Sequence, residues 1–350
     1  MKTYWTVRIG KSISFLIDKK AAKVSLIMAA ILLTGFFIST GAGEVMMNPL
    51  EVVKTLAGFG SEMNMLIISS FRMPRILTAI MVGVCLAVAG GILQGIIRNP
   101  LASPDIIGIT GGASLAVVTF LALFSDKNNA LTVSIQWMPA ASFIGAMTVG
   151  FIVYLLSWKG GSSSFRLVLV GIGFSLLTQS LTTLMMIKGP IYRASQANTW
   201  ITGTVYGATW QQVKIMLPIT VLLLLLTIIV IRTINLQGLG DDLGAGAGSS
   251  VQRNRLLLLV LSTALTGTAV AFGGGIGFVG LMAPHIARRL VGSSYGAMLP
   301  VSAMAGAFLV MTADLIGRTL FSPLEVPAGV FTAAIGAPYF IYLLYKTRNT

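Results

Sequence analysis

Acidic residues are scarce in this chain of 350 residues: ten Asp and Glu stand against 24 Lys and Arg, with one histidine and one cysteine. The single cysteine, Cys85, cannot close an internal disulfide, so thiols do not indicate the compartment. One histidine, His285, and one cysteine cannot supply a His/Cys cluster with metal-ligand spacing, so no metal site is expected. Charged residues make up only 10% of the chain, against about 25% in an ordinary soluble domain, too few to clothe a globule in water. The net charge of +14 would suggest nucleic acid in a soluble protein. Here the basic residues fall in ones and twos between apolar stretches instead of gathering on a polar face with stacking aromatics, which argues against nucleic acid as a partner.

What the chain has in place of charge is long apolar runs. Hydrophobic residues make up 55%, and no Asp, Glu, Lys or Arg occurs from Val24 to Gly43, Ile76 to Ile97, Ile106 to Ser125, Leu167 to Ile187 or Val326 to Tyr345. A bilayer core of roughly 30 Å takes about 20 apolar residues of helix to cross. Nine spans follow directly, near 24–43, 76–97, 106–125, 138–158, 167–187, 213–231, 256–273, 297–317 and 326–345. The uncharged run Leu256 to Ala287 is too long for one span and is interrupted by Gly273-Gly274-Gly275, which predicts a tenth, short helix from about Ile276 to Leu290. With ten spans, sixteen of the 24 Lys and Arg fall on the side shared by both termini, and the positive-inside rule makes that side cytoplasmic. The expected fold is an all-α integral membrane protein of ten transmembrane helices, several short or broken by Gly or Pro. The expected organisation is a basic cytoplasmic segment 1–23, one transmembrane domain 24–345 and a short cytoplasmic tail 346–350. The first helix is expected to be uncleaved, because no small-residue cleavage site follows it. Glycine pairs at four-residue spacing, Gly91/Gly95, Gly108/Gly112 and Gly273/Gly277, predict closely packed helix backbones.

Several motifs fail on inspection. Gly10-Lys11-Ser12 resembles the end of a phosphate-binding loop, but Trp5 stands where that loop needs glycine. Gly275 to Gly280 spells a dinucleotide fingerprint inside an apolar span with no preceding strand. Asp314, the acid read as lying well inside a span, has Arg318 one helical turn away, and a structural ion pair explains it better than a proton relay, since no second acid or histidine is placed to complete one.

Three stretches remain. Arg72-Met73-Pro74-Arg75 enters the second span, which ends in Arg98-Asn99-Pro100-Leu101-Ala102-Ser103-Pro104. The polar loop 236–255 carries Asp241, Asp242, a glycine-rich run to Gly248, then Arg253 and Arg255. The run Gly277 to Arg289 contains Pro284 and His285, and is followed by Asp314, Arg318, Glu325 and Pro327. Together, over about residues 20–348, these resemble the FecCD family, the permease subunits of type II ABC importers for ferric siderophores, haem or cobalamin.

The resemblance implies a non-catalytic bacterial cell-membrane permease that pairs with a second permease, identical or paralogous. It also implies two cytoplasmic ATPases that use ATP and Mg, and an external substrate-binding protein. The chain itself is expected to bind no cofactor. Arg72, Arg75 and Arg318 match external arginines that meet acidic residues of the binding protein. Loop 236–255 matches the coupling helices that seat in the ATPase, with Asp241, Asp242, Gly248, Arg253 and Arg255 as its candidate contacts. Gly244-Ala245-Gly246-Ala247 departs from the bulkier or basic family pattern, so the coupling helix is expected to be weak alone and to order only against its partner, each glycine costing about 1 kcal/mol in a helix. Arg98, Asn99, Pro100, Pro284, His285, Asp314, Glu325 and Pro327 belong to the structural and pathway motifs. A ferric siderophore is the expected cargo, with cobalamin or haem as alternatives. An ion-gradient transporter would need more intramembrane ligands than Asp314, and an intramembrane enzyme would need a nucleophile and base within reach.

Overall fold

The computed structural model describes residues 4–9, 13–125, 131–159, 161, 163–189 and 191–347. The Gly10-Lys11-Ser12 segment and the tail 348–350 lie outside the described residues. The chain starts with a departure from the all-helical expectation. Strands β1 (Tyr4–Ile9) and β2 (Ile13–Asp18) pair antiparallel, with Tyr4 opposite Asp18 and Ile9 opposite Ile13. Their β-branched and aromatic content suits strands. Asp18 then caps helix α1 (Lys19–Gly41), its carboxylate accepting from the Lys20 amide at 2.7 Å.

The remaining elements are helical. Outside the first span lie α2 (Pro49–Leu56) and α3 (Glu62–Leu66), and a π-helical turn (Ile67–Arg72) leads into α4 (Met73–Ile97). Then come α5 (Ile109–Leu123), α6 (Met138–Leu156), α7 (Ser164–Lys188), α8 (Ile191–Thr202) and α9 (Trp210–Gly238). The chain closes with α10 (Asp241–Gly246), α11 (Val251–Gly273), α12 (Val279–Val291), α13 (Tyr295–Thr319) and α14 (Ala328–Thr347). Among the described residues, eight helices are long and apolar enough to cross a membrane, and α5 is a shorter apolar helix. Each stretch placed from the sequence falls on a helix, including the short one after the glycine break, which is α12 with 13 residues. The protein is an integral membrane protein built from these helices.

Short helices leave irregular backbone at membrane depth, and such backbone survives only when protein covers it. Two segments show how. Before α5, Ala102, Ser103, Pro104, Ile107 and Gly108 are all buried. Before α12, the Gly275 amide donates to the Trp200 carbonyl at 3.2 Å, and nearby the Gly329 amide donates to Gly203 at 2.9 Å. The end of α8 thus supplies hydrogen-bond partners to the break before α12 and the start of α14.

The packing centre is α4 and α11, whose most apolar windows are 83% and 78% buried, whereas α1 is 6% buried and α7 22%. Close backbone contact makes α4 the core. At Gly83 it meets Gly306 of α13, and at Gly90 it meets Gly280 of α12. A Cβ at either α4 position would fall on the facing carbonyl oxygen. Of the glycine pairs picked from spacing, Gly112 faces Gly145 across α5 and α6, while Gly91 and Gly95 face side chains of Leu299 and Tyr295.

Candidate functional site

Two polar clusters sit at opposite ends of the helix bundle. One is organised by the end of α1. The last carbonyls of a helix have no intrahelical donors and carry the negative end of its dipole, so cations gather there. Arg72 donates to the carbonyls of Thr40 at 2.7 Å and Gly41 at 3.1 Å, and also to Val45. Arg318 donates to Ala42 at 2.8 Å, to the Ser39 carbonyl and to Ser39 Oγ at 3.0 Å. Arg75 takes the acids: its Nε lies 3.0 Å from both Asp314 oxygens, its Nη2 2.9 Å from Asp314 Oδ1, and its Nη1 2.9 Å from Glu325 Oε2. Its guanidinium also lies over the Tyr206 ring, 5.5 Å from the centroid.

The three arginines expected to meet a binding protein are therefore all engaged within the chain. Arg72 and Arg318 are only 7% and 8% exposed, and their Nη groups donate to oxygens within the chain. They brace the junction between α1, α4 and α13. The ion pair foreseen for Asp314 is present, but its main partner is Arg75 from α4, 239 residues away; Arg318 stands at 3.8 Å. Helical spacing could suggest Arg318 and could not suggest Arg75. Pro327 starts the turn into α14, just after Val326, whose amide donates to Gly317 at 3.1 Å.

The cluster at the opposite end holds α10. Arg98, in the left-handed conformation that ends α4, reaches Asp241 at 3.0 Å; Arg255 reaches the same carboxylate at 2.9 and 3.1 Å and is only 1% exposed. Gln237 donates to the Val251 carbonyl at 2.9 Å. The glycine-rich run forms a short helix, tied at its base by two arginines. The loop is narrower than expected, because α9 continues through Gly238. Of the candidate contacts, Arg255 is buried and Asp241 is half-exposed and paired within the chain, while Asp242, Arg253 and Gly248 are exposed. Leu243 on α10 is an exposed apolar side chain, at 65%.

The remaining motif residues serve local structure. Asn99 Oδ1 accepts from the Leu101 amide at 2.9 Å, turning the chain at the exposed Pro100. Pro284 is buried inside α12. One position on, His285 Nε2 accepts from Arg289 Nε at 3.1 Å, its ring edge-on to Tyr339. A second acid packed among the helices is Asp105. It lies between α4 and α5, accepts from Thr110 Oγ1 at 2.7 Å and bonds the Phe278 backbone at the start of α12. It sits in a loop by sequence, so the absence of charge within spans could not reveal it. Among the described residues no group of three His, Cys, Asp or Glu could hold a metal ion.

Comparison with known proteins agrees with this architecture. The chain is 64% identical to the probable siderophore transport system permease protein YfhA of Bacillus subtilis, over 95% of this chain and 97% of that one. It is 45% identical to the achromobactin transport system permease protein CbrC of Dickeya dadantii, over 89% and 88%. A solved structure described as an inward-facing metal-chelate type ABC transporter superposes with a TM-score of 0.80 at 28% identity, covering 93% of this chain and 99% of that one. The model of the FecCD transport family matches residues 31–346, and the chain belongs to that family.

Proposed function

We propose that this chain is the permease subunit of an ABC importer that carries a ferric siderophore across the bacterial cell membrane. The observation that carries this reading is near full-length identity of 64% with a siderophore permease. In this reading the chain crosses the membrane ten times, α5 and α12 being the short crossings, with both termini in the cytoplasm. It pairs with a second permease, and two ATPases and an external binding protein complete the importer. The chain performs no catalysis.

Physical features support each part. Helix α7 exposes Gln179, Ser180 and Thr183 beside Ile172 and Leu176. Lipid disfavours an exposed polar strip at membrane depth, so it suits a water-lined path between two permeases. Weak contacts also suit a path that must release its cargo in each cycle. At the outer mouth, three arginines against Asp314 and Glu325 leave a positive field that would draw an acidic binding protein, with Arg72 and Arg318 acting through that field rather than by direct contact.

Uptake assays in cells with and without the gene test the cargo. Loss of labelled ferric siderophore uptake with cobalamin and haem uptake intact is the expected result; an unchanged siderophore signal with loss of either other cargo would replace it. Coupling is tested at Gly248, which has φ +78° and open space around it at the exposed end of the α10 turn. Gly248→Trp strains the backbone and places bulk where an ATPase would seat, so ATP hydrolysis by the assembled importer should continue while uptake falls. Uptake at the wild-type level would count against α10 as the coupling element.

A further inference from the structure

The inner ends of α4, α9, α12 and α13 line an open cleft of about 840 Å³ beside the base of α10. Its charge is one-sided. Arg98, Arg232 and Arg288 line it, from three different helices, and no Asp or Glu is among the lining residues. Arg98 is partly neutralised by Asp241 outside the cavity. Among the described residues, neither Arg232 nor Arg288 has an acid within ion-pair distance.

A buried donor points the same way. Gln94 is 2% exposed and lines the cavity; its Oε1 accepts from Arg288 Nη2 at 3.1 Å, while its Nε2 has no hydrogen-bond partner. An amide donor left unmet at such burial is destabilising, so the site suits an acceptor. Ser294 and Tyr295, at the start of the 25-residue α13, complete the wall, and the positive end of that helix opens on the cavity. Arginines and an amide converging on one space suit a phosphate, which offers several acceptor oxygens and a full charge.

The setting favours a lipid source. Arg232 is exposed on α9, and Ile228 and Ile229, one turn earlier on the same helix, are 63% and 74% exposed. A phosphate held at Arg232 would leave acyl chains to run along that apolar face. Basic pockets between transmembrane helices at the cytoplasmic side are known to hold anionic headgroups, and this volume lies within the roughly 300–1,000 Å³ of ligand sites. We propose that the cavity between the inner ends of α4, α9, α12 and α13 binds the phosphate of an anionic phospholipid of the inner leaflet.

The purified full-length permease is tested against phosphatidylcholine vesicles with and without phosphatidylglycerol, and separately against inorganic phosphate. Two variants accompany it. Arg232→Gln removes an exposed cation with no internal acid partner, so it should leave the fold alone. Gln94→Glu keeps the size and fills the cavity with negative charge. Wild type should retain phosphatidylglycerol through detergent washing, with affinity roughly tenfold lower in Arg232→Gln, the loss of one charged hydrogen bond, and lower still in Gln94→Glu. Inorganic phosphate binding as tightly as the lipid would keep the phosphate chemistry and overturn the lipid source. Wild-type lipid retention in both variants would overturn the site, as would complete loss of retention once the partner ATPases are bound, since the cavity would then belong to that interface.

Discussion

Replacing Asp314 by alanine should lower the thermal stability of the purified permease more than any other single charge removal. Asp314 is buried, with a side-chain exposure of 3%, and neutralises Arg75 at 2.9 Å with Arg318 at 3.8 Å beside it. Arg318 already has a buried Nε without a hydrogen-bond partner. Removing the carboxylate leaves two largely buried guanidiniums facing each other without their shared counter-charge, and breaking a buried pair in this way costs roughly 3–5 kcal/mol. Glu325 provides the contrast. It contacts the same Arg75 but its side chain is 36% exposed, so Glu325→Gln should cost no more than about 1 kcal/mol. Thermal unfolding of the two variants in detergent checks the order. Equal midpoints would show that Asp314 is not the keystone of the outer mouth.

Gly90→Val should prevent assembly of the folded bundle. The Cβ would fall on the Gly280 carbonyl, and the neighbouring atoms are also Gly280 backbone, so no side chain can turn aside to make room. Helices α4 and α12 would have to separate, and with them the break that starts α12. Overpacking in a close-packed interior costs typically 1–3 kcal/mol, and a rigid backbone partner places this change at the upper end or beyond. At Gly173 on α7, an added Cβ would meet nothing within 4 Å, so Gly173→Ala should behave as wild type. The yield of monodisperse protein after membrane extraction separates the two. A normal yield for Gly90→Val would mean that α4 and α12 are not held in this contact.

The amino-acid sequence alone determined that the chain enters a membrane and where its helices run, because crossing a bilayer demands about 20 apolar residues per helix and confines charge to the ends. That requirement is local, so Val24 to Gly43 or Ile76 to Ile97 announces itself without knowledge of any neighbour. The glycine break at Gly273 to Gly275 was legible for the same reason, as was the family, whose motifs are contiguous runs. The hairpin of Tyr4–Ile9 and Ile13–Asp18 is not legible in the same way, because its β-branched and aromatic residues are interspersed with the basic residues that precede the first span.

The tertiary structure alone decided which charges are free. Arg72, Arg75 and Arg318 look alike in sequence, yet two of them cap the end of α1 and the third clamps Asp314 and Glu325 across 239 and 250 residues of chain. Asp241 and Asp242 are neighbours, but only Asp241 is held by Arg98 and Arg255. A guanidinium will satisfy whichever carbonyl or carboxylate packing brings within about 3 Å, and packing in a bilayer depends on where small residues let backbones meet. Gly83 against Gly306 and Gly90 against Gly280 set those meeting points. They join residues roughly 200 positions apart in the chain, a relation that only the folded chain could express.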